Sequence, residues 1–281
     1  MRRKAQGAVA LTVGILALSL GTLYGWGENA DRLVTNKAVD TLPDDILPFF
    51  QANRQFLVQH VGAEPAPATN TKKASEHSTD FIHLDHYGPF PFTALPRDYN
   101  AAISKFNRRT LQMYGLLPWE IGVYSKKLTD AFKDHNWGEA KADAAILAHY
   151  VNAAHDPFNT TTNFDGKLSL QPGVNERFGT GLVDRYQLFF YVKPDEAVYI
   201  HDPTGHAFDT CLNAHAWLEN VLLADRRAHD TTGGYAEDYY DHFYTQAGSV
   251  LVRQLSDSAT DVGSYWMTSW INAGRPPLPT Q

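Results

Sequence analysis

The chain has one cysteine, Cys211, among 281 residues. An internal disulfide is therefore excluded, and so are cysteine-rich zinc frameworks and a CxxC redox pair. A lone cysteine of this kind reads as a small buried hydrophobe. Positive charge is also scarce: 24 Lys and Arg stand against 31 Asp and Glu, for a net charge of −7. A chain of that sign lacks the electrostatic footprint of a protein that binds duplex nucleic acid. Short catalytic signatures are missing too. There is no HExxH, no G-x-S-x-G and no P-loop, so the simplest routes to a metalloprotease, an α/β-hydrolase or a nucleotide-binding protein are closed.

Long apolar runs are absent beyond the first residues. The exception is Ala8–Leu23, which follows the basic stretch MRRK and precedes the small residue Gly25. Basic start, apolar run and small residue together read as a secretory signal peptide over residues 1–25. The other reading is an uncleaved anchor, because the run falls just short of the ~20 residues a membrane span needs. Cleavage would leave Trp26 as the first residue and remove Arg2, Arg3 and Lys4, making the chain more acidic still. The expected location is then periplasmic or secreted, and stability must come from packing without disulfides.

What is present is mostly helical patterning. Val34, Ala38, Val39 and Leu42 recur at helical spacing until Pro43,. PDDILPFFQANRQFLVQHVG predicts a second helix. Residues 63–79 read as a loop rich in Pro, Ala, Thr, Lys and Ser,. A helix is predicted over Arg97–Tyr114. In the next, Ile121, Tyr124, Leu128, Ala131 and Phe132 form one apolar stripe,. Trp137–Ala154 is alanine-rich and strongly helical. Further helices are predicted around Arg177–Leu188, Asp209–Arg227, Tyr235–Ser256 and Asp261–Ala273. Tyr186–Pro194 could pass for a short strand, but its neighbours are helical. Long helices and short loops predict one all-α domain over residues 26–281.

Twelve histidines are many for this length, and most read as surface or helix-end residues. His201 and Asp202 read as a turn with His206 nearby, and NFDG (163–166) as a tight turn. The polar residues that invite chemistry fall in four blocks. These are WGENADR at 26–32, DFIHLDHYG at 80–88, LAHYVNAAHDPFNTTTNFDG at 147–166 and PGVNERFG at 172–179. His149 and His155 are six apart, so on one helix they face roughly opposite sides and would not share an ion. His83, Asp85 and His86 have the chemistry of ligands or acid/base groups, but at irregular spacing.

Those blocks, in that order, together with LLPWEIG and the AGRPPLP tail, resemble the zinc-dependent phospholipase C and single-strand-specific nuclease superfamily. The resemblance covers nearly all of the chain after residue 25. It implies an all-helical cup in which three zinc ions activate water for phosphoester hydrolysis. A phospholipid or other phosphodiester is the implied substrate, and a monomer the implied state. The free amino group of a mature N-terminal Trp is a ligand in that family, a role that falls to Trp26. The family's next His falls on Asp31, and the first residue of its His-Phe-Ile-Asp motif on Asp80. Of its central ligands the first is matched by His149, while the bridging Asp falls on Ala153 and the last His on Asn159. The extra, non-ligand His of that pattern is matched by His155. The closing His and Glu fall on Asn175 and Gly179, and for one further Asp the nearest acid is Glu64.

The site expected on this basis is Trp26, Asp31, Asp80, His149, Asn159 and Asn175, with acid/base help from His83 and Asp85. Imidazoles have given way to Asp and Asn, a direction that favours one Ca²⁺ or Mg²⁺ over Zn²⁺. The competing reading is a metal-free cup in which these side chains hydrogen-bond to one another. Two functions follow: phosphoester hydrolysis at an altered metal site, or a non-catalytic binder of a lipid headgroup, glycan or envelope partner through the aromatic stretch His86–Phe92.

Overall fold

The computed structural model of the protein describes residues 26–62, 78–189 and 191–279. The expected signal peptide, Glu64 and most of the expected loop at 63–79 lie outside those residues. The described chain is mainly helical, with no strand among the described residues. It starts at α1 (Glu28–Val39), whose apolar residues Ala30, Val34, Ala38 and Val39 are all buried.

Two expected helices are each broken by an asparagine. The second helix is replaced by a turn after Pro43, α2 (Leu47–Ala52) and α3 (Arg54–His60). The break falls at Asn53, whose side-chain amide donates to the Phe49 carbonyl at 2.8 Å. The helix predicted over Arg97–Tyr114 is α4 (Tyr99–Phe106) and α5 (Arg108–Tyr114). Between them Asn107 takes a positive φ of 61°, and its side chain accepts from the Thr110 N–H at 3.0 Å. In both cases a short polar side chain competes with the helix for backbone hydrogen bonds.

The centre of the molecule is built by α6 (Leu117–Lys133), α7 (Trp137–Ala154) and the long α12 (Glu237–Asn272). The sequence predicts two helices where α12 runs unbroken for 36 residues. One apolar core joins these three helices to α1. There Trp266 stacks on Phe50 with ring centroids 4.7 Å apart, and its indole N–H donates to the Ala144 carbonyl at 3.0 Å.

The rest wraps around that frame. α8 (Val174–Glu176) runs through a π-helical turn at Arg177–Gly181 into α9 (Leu182–Tyr186). α10 (Pro203–His215) and α11 (Leu218–Thr232) complete the fold. The segment read as a possible strand is instead a turn followed by an extended strap along α12. Its backbone N–H groups at Lys193, Asp195, Val198 and Ile200 donate to the hydroxyls of Ser256, Thr260, Ser264 and Thr268, at 3.1, 2.9, 2.9 and 2.9 Å. Four hydroxyls at four-residue spacing line one helix face, and they satisfy a backbone that has no sheet neighbour.

Candidate functional site

Three of the expected residues meet on one side of α7. Asp31, in the first turn of α1, places Oδ2 2.9 Å from His149 Nδ1. On the other edge of the ring, Asp80 Oδ1 stands 3.7 Å from His149 Nε2. The imidazole thus faces a carboxylate at each nitrogen. Burial alone would push the His149 pKa down, but the charge and hydrogen bond of Asp31, joined by Asp80, push it up to about 10. His149 is therefore an imidazolium at neutral pH.

The pair is held from behind by Asn152 and Ser258, which the sequence reading did not single out, and by Trp26, which it did. Asn152 donates to the other oxygen of Asp31 and accepts from Ser258 of α12 at 2.9 Å. Its backbone carbonyl takes the indole N–H of Trp26 at 3.0 Å. The one available signal was an amide three residues after His149, on the mostly apolar second half of α7. The Trp26 indole is fully buried and tilts against Phe178 at 5.4 Å, which locks the start of the described chain onto the π-helical turn. Beside Asp80 lies the half-buried Glu120, whose pKa is raised by burial, with Lys127 opposing and Asp80 adding to the rise.

The other expected ligands are placed differently. Asn159 is fully buried. Its amide donates to the Ala153 carbonyl at 3.0 Å, and its backbone carbonyl accepts from Ile82 at 2.8 Å. Asn159 Oδ1 and the nearby Asp156 Oδ2 are buried without hydrogen-bond partners among the described residues. Burial pushes the Asp156 carboxyl up to about 7. Asn175 is buried on α8. At Gly179 an added Cβ would stand 3.3 Å from Trp26 Cα, so the start of the described chain and the π-helical turn pack closely.

His83 and Asp85 sit in a neighbouring aromatic layer. The His83 ring is sandwiched between Phe81 and Phe164, with centroids 4.4 and 5.6 Å away. Burial lowers its pKa to about 4, against an opposing effect of Asp85. Asp85 accepts from Thr161 Oγ1 at 2.6 Å, from the Thr162 N–H at 2.9 Å and from Thr162 Oγ1 at 3.0 Å. Its oxygens therefore hold the 161–162 loop in place.

His155 turns away from His149, and its Nε2 lies 3.0 Å from Asp261 Oδ2 on α12. His206 approaches the other oxygen of Asp261 at 2.9 Å, and Thr210 donates to Oδ2 at 3.2 Å. Sequence spacing gave no hint of this second cluster, which joins α7, α10 and α12.

Among the described residues no group of three or more His, Cys, Asp or Glu side chains is arranged to hold a metal ion. Neither protein-family models nor curated proteins match the chain.

Proposed function

We propose that the protein is an exported, phospholipase C-like helical protein that binds a phospholipid or other phosphodiester without metal-dependent hydrolysis. The observation that carries this reading is His149 held between Asp31 and Asp80. Both imidazole nitrogens face carboxylates, and the carboxylates face the imidazole. The positive charge that a zinc cluster would bring is supplied by a side chain. Ala153 and Gly179, where the resemblance calls for a bridging carboxylate and a glutamate, carry no donor atoms. This donor set does not fit three zinc ions, and no reaction step is assigned to them.

The charges around His149 also favour one end of a ligand. Asp80 stands on the Nε2 side of His149, and a carboxylate there suits the ammonium of a zwitterionic headgroup better than its phosphate.

The test is a pair of measurements on one preparation. Hydrolysis of a chromogenic phosphodiester is followed with zinc, calcium or magnesium added and with chelator, and phosphocholine binding is followed by calorimetry. Saturable binding without chelator-sensitive turnover is expected. Turnover that chelator abolishes, with two or three zinc ions per chain, would restore the hydrolase reading. Turnover with calcium or magnesium alone would point to a single hard cation near the unpartnered Asn159 oxygen,.

A further inference from the structure

We infer that the turn after α9 is a bilayer-insertion tip, with Leu188, Phe189 and Tyr191 entering the interface of a lipid membrane. These side chains are 90, 80 and 73% exposed. Scattered surface hydrophobics are ordinary, but three large ones within four residues form a patch that calls for a covering surface. The inference does not rest on what the His149 site does.

The backbone is anchored on both sides of the tip. Phe189 N–H closes the turn onto the Tyr186 carbonyl at 2.8 Å. The Tyr186 ring stacks on Tyr244 with centroids 4.3 Å apart, and its hydroxyl donates to Asp241. Beyond the tip, Val192 is buried and the strap is fastened to α12 by the hydroxyl ladder that starts at Ser256. The chain is thus held before and after the tip while Leu188, Phe189 and Tyr191 stay exposed.

Three observations select a bilayer as the occupant. Side chains exposed this fully protrude from the surface, and a fluid interface accepts them without a matching groove. Tyr191 carries a polar hydroxyl on an apolar ring, with Lys37 Nζ 5.8 Å from its centroid, and the exposed Lys193 follows two residues later. An amphipathic aromatic with ammonium groups beside it matches headgroup depth. Finally, the start of the described chain lies against the same element. Asn29 donates to Asp184 of α9 at 2.7 Å, and an added Cβ at Gly27 would meet Thr180 Oγ1 at 2.5 Å. In the sequence, the one long apolar run, Ala8–Leu23, ends three residues before Trp26, where the described chain starts. No helix among the described residues can cross a membrane, so the tip acts at the surface. The chain's net charge of −7 works against anionic lipid, so apolar insertion dominates and salt has little influence.

The test uses the full chain carrying L188C labelled with an environment-sensitive dye. Cys211 is fully buried and stays unlabelled in the folded protein. L168C is the comparison, because Leu168 is 74% exposed on a different loop. Vesicles of phosphatidylcholine with a minority of phosphatidylglycerol should blue-shift and brighten the dye at 188 and leave it unchanged at 168, at low and high salt alike. The unlabelled double variant L188D/F189D, folded by circular dichroism, should show at least about tenfold weaker vesicle binding. Emission at 188 that ignores vesicles would overturn the inference. So would a dye already blue-shifted without lipid, which would mean that a second copy or another segment of this chain covers the tip. Binding that high salt abolishes would overturn it as well.

Discussion

His149 Nδ1 lies 2.9 Å from Asp31 Oδ2, and this pair ties the middle of α7 to the first turn of α1. Both side chains are largely buried, so each depends on the other to keep its charge out of water. The same contact brings together two residues at positions the resemblance assigns to metal ligation and engages them with each other.

Removing one partner should expose that dependence. His149→Ala leaves Asp31 and Asp80 without their imidazolium and is expected to lower unfolding stability by about 3 kcal/mol. Urea denaturation measures the change. A double-mutant cycle with Asp31→Asn should return a coupling energy above ~1 kcal/mol. A coupling near zero would mean the two side chains do not interact in solution.

The Asp261 cluster predicts a stability window in pH. Burial opposes the charge of Asp261, but its hydrogen bonds from His155 and His206 hold the carboxyl well below the usual carboxylate range. Its contribution is present above the unfolded value of 3.8 and fades as pH falls through the lower folded value,. His206 is shifted upward, first by its hydrogen bond to Asp261 and against burial, with the charges of Asp261 and Asp209 adding to the rise. Its contribution is complete below the unfolded value of 6.5 and is lost as pH rises through the folded one,. The cluster therefore stabilises most between the two unfolded values. Thermal melts across pH should show Asp261→Asn flattening both limbs relative to the wild type.

Asp85 is expected to matter for stability through its loop. Asp85→Ala removes the acceptor for both hydroxyls and one amide at Thr161 and Thr162. A loss of about 2–4 kcal/mol is expected, with Asp85→Asn recovering part of it. Chemical denaturation of the three proteins checks the order.

Gly179 should not accept a side chain. An alanine there would press on the Trp26 backbone at 3.3–3.5 Å, and a destabilisation of about 1–3 kcal/mol is expected. Tryptophan fluorescence should report the displacement of Trp26 from Phe178. A neutral Gly179→Ala would show that the segment at Trp26 yields freely.

The hydroxyl ladder predicts a local effect. Thr260→Val removes the acceptor for the Asp195 N–H without changing side-chain shape greatly. Hydrogen exchange at Asp195 and its strap neighbours should accelerate, while amides in the interior of α7 keep their protection. Uniform acceleration across the protein would contradict a separately fastened strap.

The sequence by itself determined the helical class and most of the helix positions. The apolar stripe from Ile121 to Phe132 and the alanines of 137–154 state which face of α6 and α7 is buried, because helical periodicity is a local property. Through the resemblance it also brought Asp31, Asp80 and His149 forward, together with Trp26, Asn159 and Asn175. Tertiary structure alone decided what these residues meet. Asn53 and Asn107 look alike as candidate breaks, yet one leaves the helix through a carbonyl bond and the other through a positive φ. Asn152 reaches Ser258, and His155 reaches Asp261, each across more than 100 residues. The ladder on α12 is visible as hydroxyls every fourth residue, but only the packed strap shows what they hold. Periodicity records that a face is covered; the partner is chosen by the packing of distant helices, which no local pattern encodes.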